Sequence, residues 1–586
     1  MIAILRYLKP GEWFMALLSL GFIIIQVWLD LKTPDYMAEI TTLVQTPNSA
    51  MSDIWRAGGM MLLCTLGSLC AAITVGYFAA IIGSAFSRRL RRMLFSKVDS
   101  FSMEEINRFS TDSLITRSTN DITQIQLVVA MGLQIIIRAP ITAGWAITKI
   151  AGKGLEWTMA TGIAVLILLI MIVLLMFFVL PKFRMMQSLI DNMNRVTREN
   201  LTGLRVVRAY NAEDYQEAKF EEANNELTGT QLFTSRAMAV LMPVMSLVMS
   251  GVSLSVFWIG AYLINYAQAV DRLPIFSNMM VFSVYAMSVI MSFMMMMMIF
   301  VMLPRATVSA KRICEVLDTP ATILDGDITE GLSGVYGEVT FNNVGFKYPD
   351  AAEAVLRDVS FTVRQGETIA FIGSTGSGKS TLINLVPRFF DVTEGEILID
   401  GVNVRDYKLE ALHNKIGYVP QKAVLFKGTV SSNVAYGDNG GDGFSEEDIK
   451  QAVSVAQSTE FVEDMEDGYM AEIAQGGTNV SGGQKQRLSI ARAVCRKPEI
   501  YIFDDSFSAL DYKTDRLLRN MLKKETAGVT SMIVAQRIGT IMDADQIIVL
   551  DEGRVVGSGR HKDLLQNCDV YKQIAISQLS EEELAV

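Results

Sequence analysis

The most informative segment of the sequence covers residues 368–381 and reads TIAFIGSTGSGKST. Residues 368–372 are largely apolar, which is typical of a buried β-strand. The nine residues after them contain the pattern Gly-x-x-x-x-Gly-Lys-Ser and are Gly373, Ser374, Thr375, Gly376, Ser377, Gly378, Lys379, Ser380 and Thr381. A strand that runs into this pattern predicts a phosphate-binding loop, because the glycines let backbone N–H groups approach phosphate oxygens. We expect Lys379 to reach the β- and γ-phosphates of a nucleotide and the Ser380 hydroxyl to coordinate Mg²⁺.

A second apolar strand, predicted over residues 500–503, ends in the pair Asp504-Asp505. In a phosphate-loop fold, the carboxylate that organises Mg²⁺ lies at the carboxyl end of a buried strand. We therefore expect Asp504 to take that role. Asp505 is expected where an attacking water needs a base.

A third motif lies between these two, about twenty residues before the acidic strand end. It consists of Ser481, Gly482, Gly483 and Gln484 and opens a predicted helix over residues 484–495. Alone, these residues could be a simple turn at a helix start. Together with the phosphate loop and the acidic strand end, in this order and spacing, they resemble the ATP-binding cassette (ABC) family. The resemblance covers essentially the whole chain and points to the exporter branch of that family.

The resemblance implies roles for further residues. Tyr348 resembles the aromatic residue that stacks on adenine, with a buried structural tyrosine as the alternative. Gln421 resembles the glutamine that senses Mg²⁺ and contacts the membrane half, with a polar turn residue as the alternative. The Ser481–Gln484 motif resembles the signature that clamps the γ-phosphate of ATP held by a partner cassette. The implied cofactors are ATP and Mg²⁺, and each ATP is expected between two cassettes, so the chain is expected to act as a dimer.

Two catalytic positions depart from the family pattern. Asp505 stands where the family usually has glutamate, so its side chain is shorter by about 1.5 Å, and a misplacement of that order can cost about 10²-fold in rate. Gln536 stands where the family has a histidine after a later strand, predicted over residues 530–535. The only two histidines of the chain, His413 and His561, are elsewhere. We therefore expect slow ATP hydrolysis at this chain's own site and a heterodimer with a second ABC half-transporter that supplies a competent site.

The first 305 residues contain six apolar runs long enough to cross a bilayer as helices. They cover residues 13–29, 58–86, 128–147, 157–180, 238–262 and 279–303. Any one of them could be a buried helix of a soluble protein, but six in one half of a chain predict six membrane spans. The first run has no small-residue cleavage site, so we expect it to be a retained helix.

Basic residues near the span ends set the expected orientation. The second span is followed by the basic stretch at residues 88–92 and the sixth by Arg305, Lys311 and Arg312. These ends, both termini and the ATP-binding half are expected in the cytoplasm, in a multi-pass protein of the cell membrane. We expect spans two to five to continue into the cytoplasm as helices, reversing near residues 109–114 and 201–208.

Two features of the spans suggest where cargo could bind. Arg138 lies in the third span, and ionisable residues in a membrane usually face a cavity or a partner. The sixth span is rich in methionine, at Met287, Met291, Met294–Met298 and Met302, and methionine suits surfaces that pack around varied partners. A drug-like or lipid-like small molecule would fit such a wall, although ordinary packing explains the methionines equally well.

Composition supports this division of the chain. Half of the 586 residues are hydrophobic and only 19% are charged, which is low for a soluble protein. The net charge of −10 argues against a nucleic-acid partner, because nucleic-acid-binding domains tend to be basic. The five cysteines show no C-x-x-C pair that would indicate zinc.

The expected architecture is therefore multidomain. An all-α transmembrane domain with six spans is predicted over residues 1–320 and an α/β phosphate-loop cassette over residues 334–580. The predicted activity is ATP-driven export of a hydrophobic or amphipathic substrate across the membrane. The alternatives are a homodimeric exporter, an ATP-gated regulatory or channel subunit and, less in keeping with the fused architecture, an importer.

Overall fold

The computed structural model describes residues 2–46, 49–151, 153–268, 270–349, 351–438 and 443–579. The chain divides into two compact units. The first, the helical unit, contains Met1–Asp99 and Asp112–Thr319, and the second, the nucleotide unit, contains Ser100–Thr111 and Pro320–Val586. The segment Ser100–Thr111 thus belongs to the nucleotide unit although the residues before and after it in the chain belong to the helical unit.

The helical unit is built from long helices. In chain order the helices up to Asp318 are α1 (Ile2–Leu5), α2 (Pro10–Gln45), α3 (Met51–Asp99), α4 (Met103–Phe109), α5 (Thr111–Thr116), a π-helical turn (Arg117–Asp121), α6 (Ile122–Ala151), α7 (Leu155–Thr202), α8 (Leu204–Ala209), α9 (Glu213–Ala239), α10 (Leu241–Tyr266) and α11 (Arg272–Asp318). Of these, α4 belongs to the nucleotide unit.

Six helical segments are long and apolar enough to cross a membrane, as the sequence predicts. They are Pro10–Gln45, Met51–Asp99, Thr111–Ala151, Leu155–Thr202, Glu213–Tyr266 and Arg272–Met296. At about 1.5 Å per residue, the 49 residues of α3 extend over roughly 70 Å, far beyond a bilayer core of about 30 Å. The helices therefore continue well outside the hydrocarbon region.

The first reversal covers residues 100–110, so it begins before the predicted range of residues 109–114 and ends inside it. Helix α3 ends at Asp99 and α5 begins at Thr111, with the short helix α4 between them. Ser102 starts α4 because its hydroxyl accepts a bond from the Glu104 N–H at 3.1 Å, while Glu105 accepts the Ser102 N–H at 2.7 Å. This capping box starts a new short helix after α3 has ended. The end of α4, at Phe109 and Ser110, lies within the predicted range. The second break, from Gly203 to Ala212 around α8, overlaps the predicted range.

Ion pairs join helix α2 to α6, and a hydrogen bond joins it to α11, within the helical unit. Arg138 of α6 lies 3.1 Å from Asp30 of α2, and Lys149 of α6 lies 2.8 Å from Asp35 of α2. The Tyr285 hydroxyl of α11 donates to Asp35 at 2.6 Å. Arg138 therefore has a carboxylate partner in Asp30. The sequence suggested a cargo molecule as one possible partner for this charge, and the structure provides a side chain of the protein instead.

The methionines of the sixth span have mixed surroundings. Met294 packs against the core of the helical unit, whereas Met291 and Met298 are 42% and 52% exposed. Met298 and Met302 line a small apolar cavity against α6. The side chain of Met297 lies outside the described part of the chain.

The nucleotide unit contains two main sheets. Strands β1 (Val339–Phe346), β2 (Leu356–Val363), β4 (Glu394–Ile399) and β5 (Val402–Asn403) form an antiparallel sheet in the order β2-β1-β4-β5. The second sheet has the order β12-β11-β3-β10-β9-β6 and consists of β3 (Thr368–Gly373), β6 (Ile416–Val419), β9 (Ile500–Asp504), β10 (Thr530–Val534), β11 (Gln546–Asp551) and β12 (Arg554–Gly559). All of its neighbours pair in parallel except β11 and β12. A short pair, β7 (Gly428–Thr429) with β8 (Glu472–Ile473), completes the strands.

Helices cover these sheets. They are α12 (Lys379–Leu385), α13 (Leu409–Asn414), α14 (Val430–Val434), α15 (Glu446–Val455), α16 (Thr459–Glu463), α17 (Gly482–Cys495), α18 (Tyr512–Glu525), α19 (Ile538–Ile541), α20 (His561–Asn567) and α21 (Asp569–Gln578). Strand β9 is buried along its whole length, which is typical of a strand covered on both faces. The parallel strands bring the ends of β3, β6, β9, β10 and β11 to one edge, where ligands bind in open α/β sheets.

Candidate nucleotide site

The phosphate loop connects β3 to α12 at this edge of the sheet. Gly376 and Gly378 have φ angles of 86° and 96°, a region that favours glycine. A Cβ atom at Gly373 would lie 2.0 Å from the carbonyl oxygen of Leu550 on the neighbouring strand β11. These positions require glycine, and the loop has the strand–loop–helix setting that the motif predicts.

Lys379 is the first residue of α12 and its ammonium group lies over the phosphate loop. Its Nζ donates to the carbonyl oxygens of Gly373 and Ser374 at 3.0 and 2.7 Å. Burial lowers the pKa of Lys379, and the nearby carboxylates of Asp505 and Asp504 oppose that effect. A cation held at the centre of a glycine-rich loop suits an anionic phosphate chain.

Ser380 and Asp504 form an oxygen pair beside the loop. The Ser380 hydroxyl donates to Asp504 Oδ1 at 2.9 Å. Asp504 is the last residue of β9 and is only 4% exposed, and this burial raises the pKa of its carboxyl group. Mg²⁺ is usually bound by one or two carboxylates together with substrate phosphates, so a hydroxyl and a carboxylate oxygen next to a phosphate loop fit its donor set.

Asp505 receives hydrogen bonds from both predicted glutamines. Its Oδ2 accepts from Gln536 Nε2 at 2.6 Å and from Gln421 Nε2 at 3.4 Å. The contact arises because β10 lies beside β9 in the sheet and Gln536 follows the end of β10. The two residues that depart from the family pattern therefore touch each other. Burial raises the pKa of Asp505. The role of Gln421 as a Mg²⁺ ligand stays a prediction.

Tyr348 lies close to the helix that follows the phosphate loop. Its hydroxyl is 3.1 Å from the hydroxyl of Thr381, and its ring packs edge-on against Phe346 and Phe390. The ring is fixed by these contacts near the loop. This position is compatible with stacking on a base, and that role also stays a prediction.

The signature motif begins α17. Ser481 is its N-cap, with the hydroxyl accepting the Gln484 N–H at 3.3 Å and the Gln484 side chain accepting the Ser481 N–H at 2.8 Å. Ser481 and Gly482 are exposed. An exposed serine and glycine pair at the start of a 14-residue helix is a surface suited to phosphate.

Two further side chains at the site edge, Ser506 and Asp551, do not appear among the residues predicted from the sequence. The buried Ser506 hydroxyl donates to the Val419 carbonyl oxygen at 3.1 Å and so joins the ends of β9 and β6. The Ser374 hydroxyl donates to Asp551, the last residue of β11, at 3.4 Å. The rule that identified Asp504, an acidic residue at the end of a buried strand, would also have selected Asp551.

Comparison with known protein families agrees with this geometry. The family described as "ABC transporter" matches residues 356–508, and the "ABC transporter transmembrane region" matches residues 16–293. The first match falls in the nucleotide unit, and the second covers most of the helical unit together with the segment Ser100–Thr111.

Individual relatives cover nearly the whole chain. An ABC transporter ATP-binding protein of Mycobacterium tuberculosis is 39% identical over 580 residues, which is 99% of this chain and 98% of the relative. An ATP-dependent lipid A-core flippase of Pseudomonas fluorescens is 31% identical over 85% of this chain and 81% of its own length. A solved bacterial Atm1-family ABC exporter with ATP bound superimposes with a TM-score of 0.73 at 25% identity, covering 99% of both chains.

These relationships confirm the fold class, an N-terminal helical membrane domain followed by an α/β nucleotide-binding domain, and the predicted ATP-hydrolysing export. They indicate a multi-pass membrane protein with a cytoplasmic ATP-binding domain. ABC exporters act as dimers, so a second subunit is part of the working unit. The chain belongs to the ABC transporter family, as an exporter half-transporter with its membrane and ATP-binding domains on one polypeptide.

Proposed function

We propose that this chain is the hydrolytically impaired subunit of a heterodimeric exporter. The observation that carries the proposal is the 2.6 Å hydrogen bond from Gln536 to Asp505. In it, the two residues that depart from the family pattern are bonded to each other. A base must lie within hydrogen-bond reach of the water that it activates. Here the shorter carboxylate is held by an amide instead.

The raised pKa of Asp505, taken alone, would favour hydrolysis and so opposes the effect of its position. Burial raises the pKa of its carboxyl group, which by itself makes the group a stronger base. Position weighs more than basicity in this site, because a misplacement of about 1 Å can cost about 10²-fold in rate. Gln536 also cannot become charged as a histidine can. Slow turnover is the expected result.

The residues that hold ATP follow the family pattern. Lys379 and the loop glycines would bind the phosphates, and Ser380 with Asp504 would hold Mg²⁺, which when bound neutralises charge on the β- and γ-phosphates. Ser481, Gly482 and Gly483 would close on ATP held by the partner. One slow site on this chain and one fast site on the partner follow from this division.

Movement of the nucleotide unit would reach the spans through α4. This helix belongs to the nucleotide unit, where the Glu105 carboxylate accepts the Thr322 N–H at 2.7 Å. Its ends continue directly into α3 and α5 of the helical unit. ATP binding, which favours the closed pair of cassettes, would therefore shift the spans from inward-facing toward outward-facing states.

The proposed cargo is a hydrophobic or amphipathic molecule, drug-like or lipid-like. Exposed methionines of the sixth span, Met291 and Met298, support an adaptable apolar wall. One relative is named for flipping lipid A-core. Both termini are proposed to lie in the cytoplasm.

ATPase activity of the purified chain, alone and co-expressed with a candidate partner carrying glutamate and histidine at the two positions, tests the heterodimer. We expect slow hydrolysis by the chain alone and fast hydrolysis by the pair. Replacing both residues, Asp505→Glu with Gln536→His, should raise the activity of the isolated chain by about 10- to 100-fold. Adding Lys379→Ala to that double variant is the matched control and should abolish the gain.

Brisk hydrolysis by the unmodified chain would instead favour the homodimer. Transport of a fluorescent amphiphile into inside-out vesicles separates a pump from a gate. Accumulation against a gradient that depends on ATP supports export, whereas equilibration without accumulation supports a channel.

A further inference from the structure

A groove lies between α10 and α11 at the end where the two helices are joined by residues 267–271. Its walls carry apolar side chains from one face of each helix, Phe257, Ala261 and Ile264 from α10 and Phe276 and Met279 from α11. Its volume is about 530 Å³, within the range of about 300–1,000 Å³ for small-molecule sites. Below it the helices approach closely, since a Cβ atom at Gly260 would lie 2.3 Å from Met279 Sδ.

The open end of the groove is polar and basic. Asn265 and Arg272 line it there, and Arg272 Nε donates to the Ala267 carbonyl oxygen at 3.3 Å. This bond places the exposed Arg272 side chain beside the C-terminal end of α10. The site therefore has an apolar body and a cationic, hydrogen-bonding head.

Aromatic side chains indicate that this mouth is at the membrane surface. Trp258, Tyr262 and Tyr266 recur every four residues on α10, so they share one face of the helix. Their exposed fractions are 74%, 61% and 73%. Exposed tryptophan and tyrosine at the end of a span are typical of the boundary between bilayer and water.

We propose that the α10–α11 groove binds one phospholipid with an anionic headgroup. The acyl chain would pack along Phe257, Ala261 and Phe276, and the phosphate would accept hydrogen bonds from Arg272. A guanidinium at headgroup depth above an apolar groove matches the two parts of such a lipid. The groove is lined by residues of α10 and α11 alone, so binding of a lipid there can be tested without ATP turnover.

Native mass spectrometry of the purified full chain tests the proposal, with phosphatidylglycerol and phosphatidylcholine of identical acyl chains as probes. We expect one phosphatidylglycerol to be retained at least about tenfold more tightly than phosphatidylcholine. Arg272→Glu should remove that preference, and Ala261→Trp should remove the bound lipid by filling the groove.

Two control variants make the same changes elsewhere. Arg56→Glu reverses an exposed charge near the start of α3, and Leu254→Trp enlarges an exposed residue of α10 outside the groove lining. Both should keep the lipid. Equal retention by Arg272→Glu, Ala261→Trp and the unmodified chain would overturn the proposal. So would displacement of the lipid by inorganic phosphate, which would indicate a free-anion site, or loss of the lipid when a partner chain covers the groove.

Discussion

On the phosphate-holding side of the nucleotide site, Lys379, Ser380 and Asp504 match the family pattern, whereas on the water-activating side Asp505 and Gln536 depart from it. The two sides are adjacent, since Asp504 and Asp505 are consecutive at the end of β9. Yet Asp504 pairs with the Ser380 hydroxyl at 2.9 Å and Asp505 with the Gln536 amide at 2.6 Å. In the proposed site, holding a nucleotide and hydrolysing it would thus depend on separate side chains, so that binding could persist where hydrolysis is slow.

The largest expected effect comes from removing the cation on the holding side. Lys379→Ala should weaken ATP binding to the isolated chain by about 100-fold or more, because hydrogen bonds to charged groups contribute about 1.5–3 kcal/mol each. Titration with a fluorescent ATP analogue measures this. Lys450→Ala, at an exposed helix position, is the control and should bind normally. An unchanged ATP affinity in Lys379→Ala would contradict the assignment of nucleotide binding to the side of the site that contains Lys379.

Ser481 tests whether the intact signature serves the partner's site. In the heterodimer, Ser481→Ala should lower ATPase activity by about 10- to 100-fold, since a hydrogen bond to the charged phosphate is lost, while ATP binding to this chain's own loop stays unchanged. Ser445→Ala removes another N-cap serine with the same capping box and controls for the loss of helix capping. A drop of equal size in both variants would argue for a purely structural role of Ser481.

Tyr348 tests the adenine end of the holding side. Tyr348→Ala should weaken ATP binding by about tenfold, because stacking of a base on an aromatic ring contributes about 1–3 kcal/mol. Tyr348→Trp should retain most of the affinity. Tyr336→Ala, at a 56% exposed tyrosine of the same unit, is the control. An ATP affinity that is the same in Tyr348→Ala and the unmodified chain would contradict a base contact.

The smallest expected effect is thermal. Burial raises the pKa of Asp505, so its negative charge disfavours the folded state at neutral pH. The carboxyl group ionises at a lower pH in the unfolded chain than in the folded protein. The free energy of unfolding therefore falls as pH rises from the unfolded-state pKa through the folded-state pKa. Asp505→Asn should therefore raise the midpoint of the nucleotide unit's thermal transition at pH 7 by about 1–3 °C. The gain in the transition midpoint should shrink at lower pH, where Asp505 is protonated in both states. A gain that grows on acidification would contradict a raised pKa of Asp505.

Much of the nucleotide site follows from the sequence because its motifs constrain the backbone locally. The glycines at 376 and 378 require positive φ angles, and an acidic pair after an apolar run identifies a strand end. The contact between Asp505 and Gln536 could not be derived in the same way, because it depends on which strands are neighbours. The pairing of β9 with β10 is a tertiary fact.

The helical unit shows the same limit. The number of spans can be predicted by counting apolar runs, because the thickness of the bilayer sets the length that each run must have. Such counting does not predict that Arg138 meets Asp30, 108 residues away in sequence. The first helix break covers residues 100–110 and so overlaps the predicted range only at its end. Its start depends on the capping box of Ser102 and Glu105, a local signal for a new helix that the general polarity of the segment does not reveal.

The hydrogen bond between Gln536 and Asp505 also constrains how this subunit can change over generations. Glutamate alone at position 505 would have a longer side chain that still meets the Gln536 amide. Histidine alone at position 536 would lie next to an aspartate that is too short to reach the attacking water. Each step toward an active site is then unrewarded without the other. In the proposed heterodimer, such mutual dependence would make the difference between the two subunits easier to increase than to reverse.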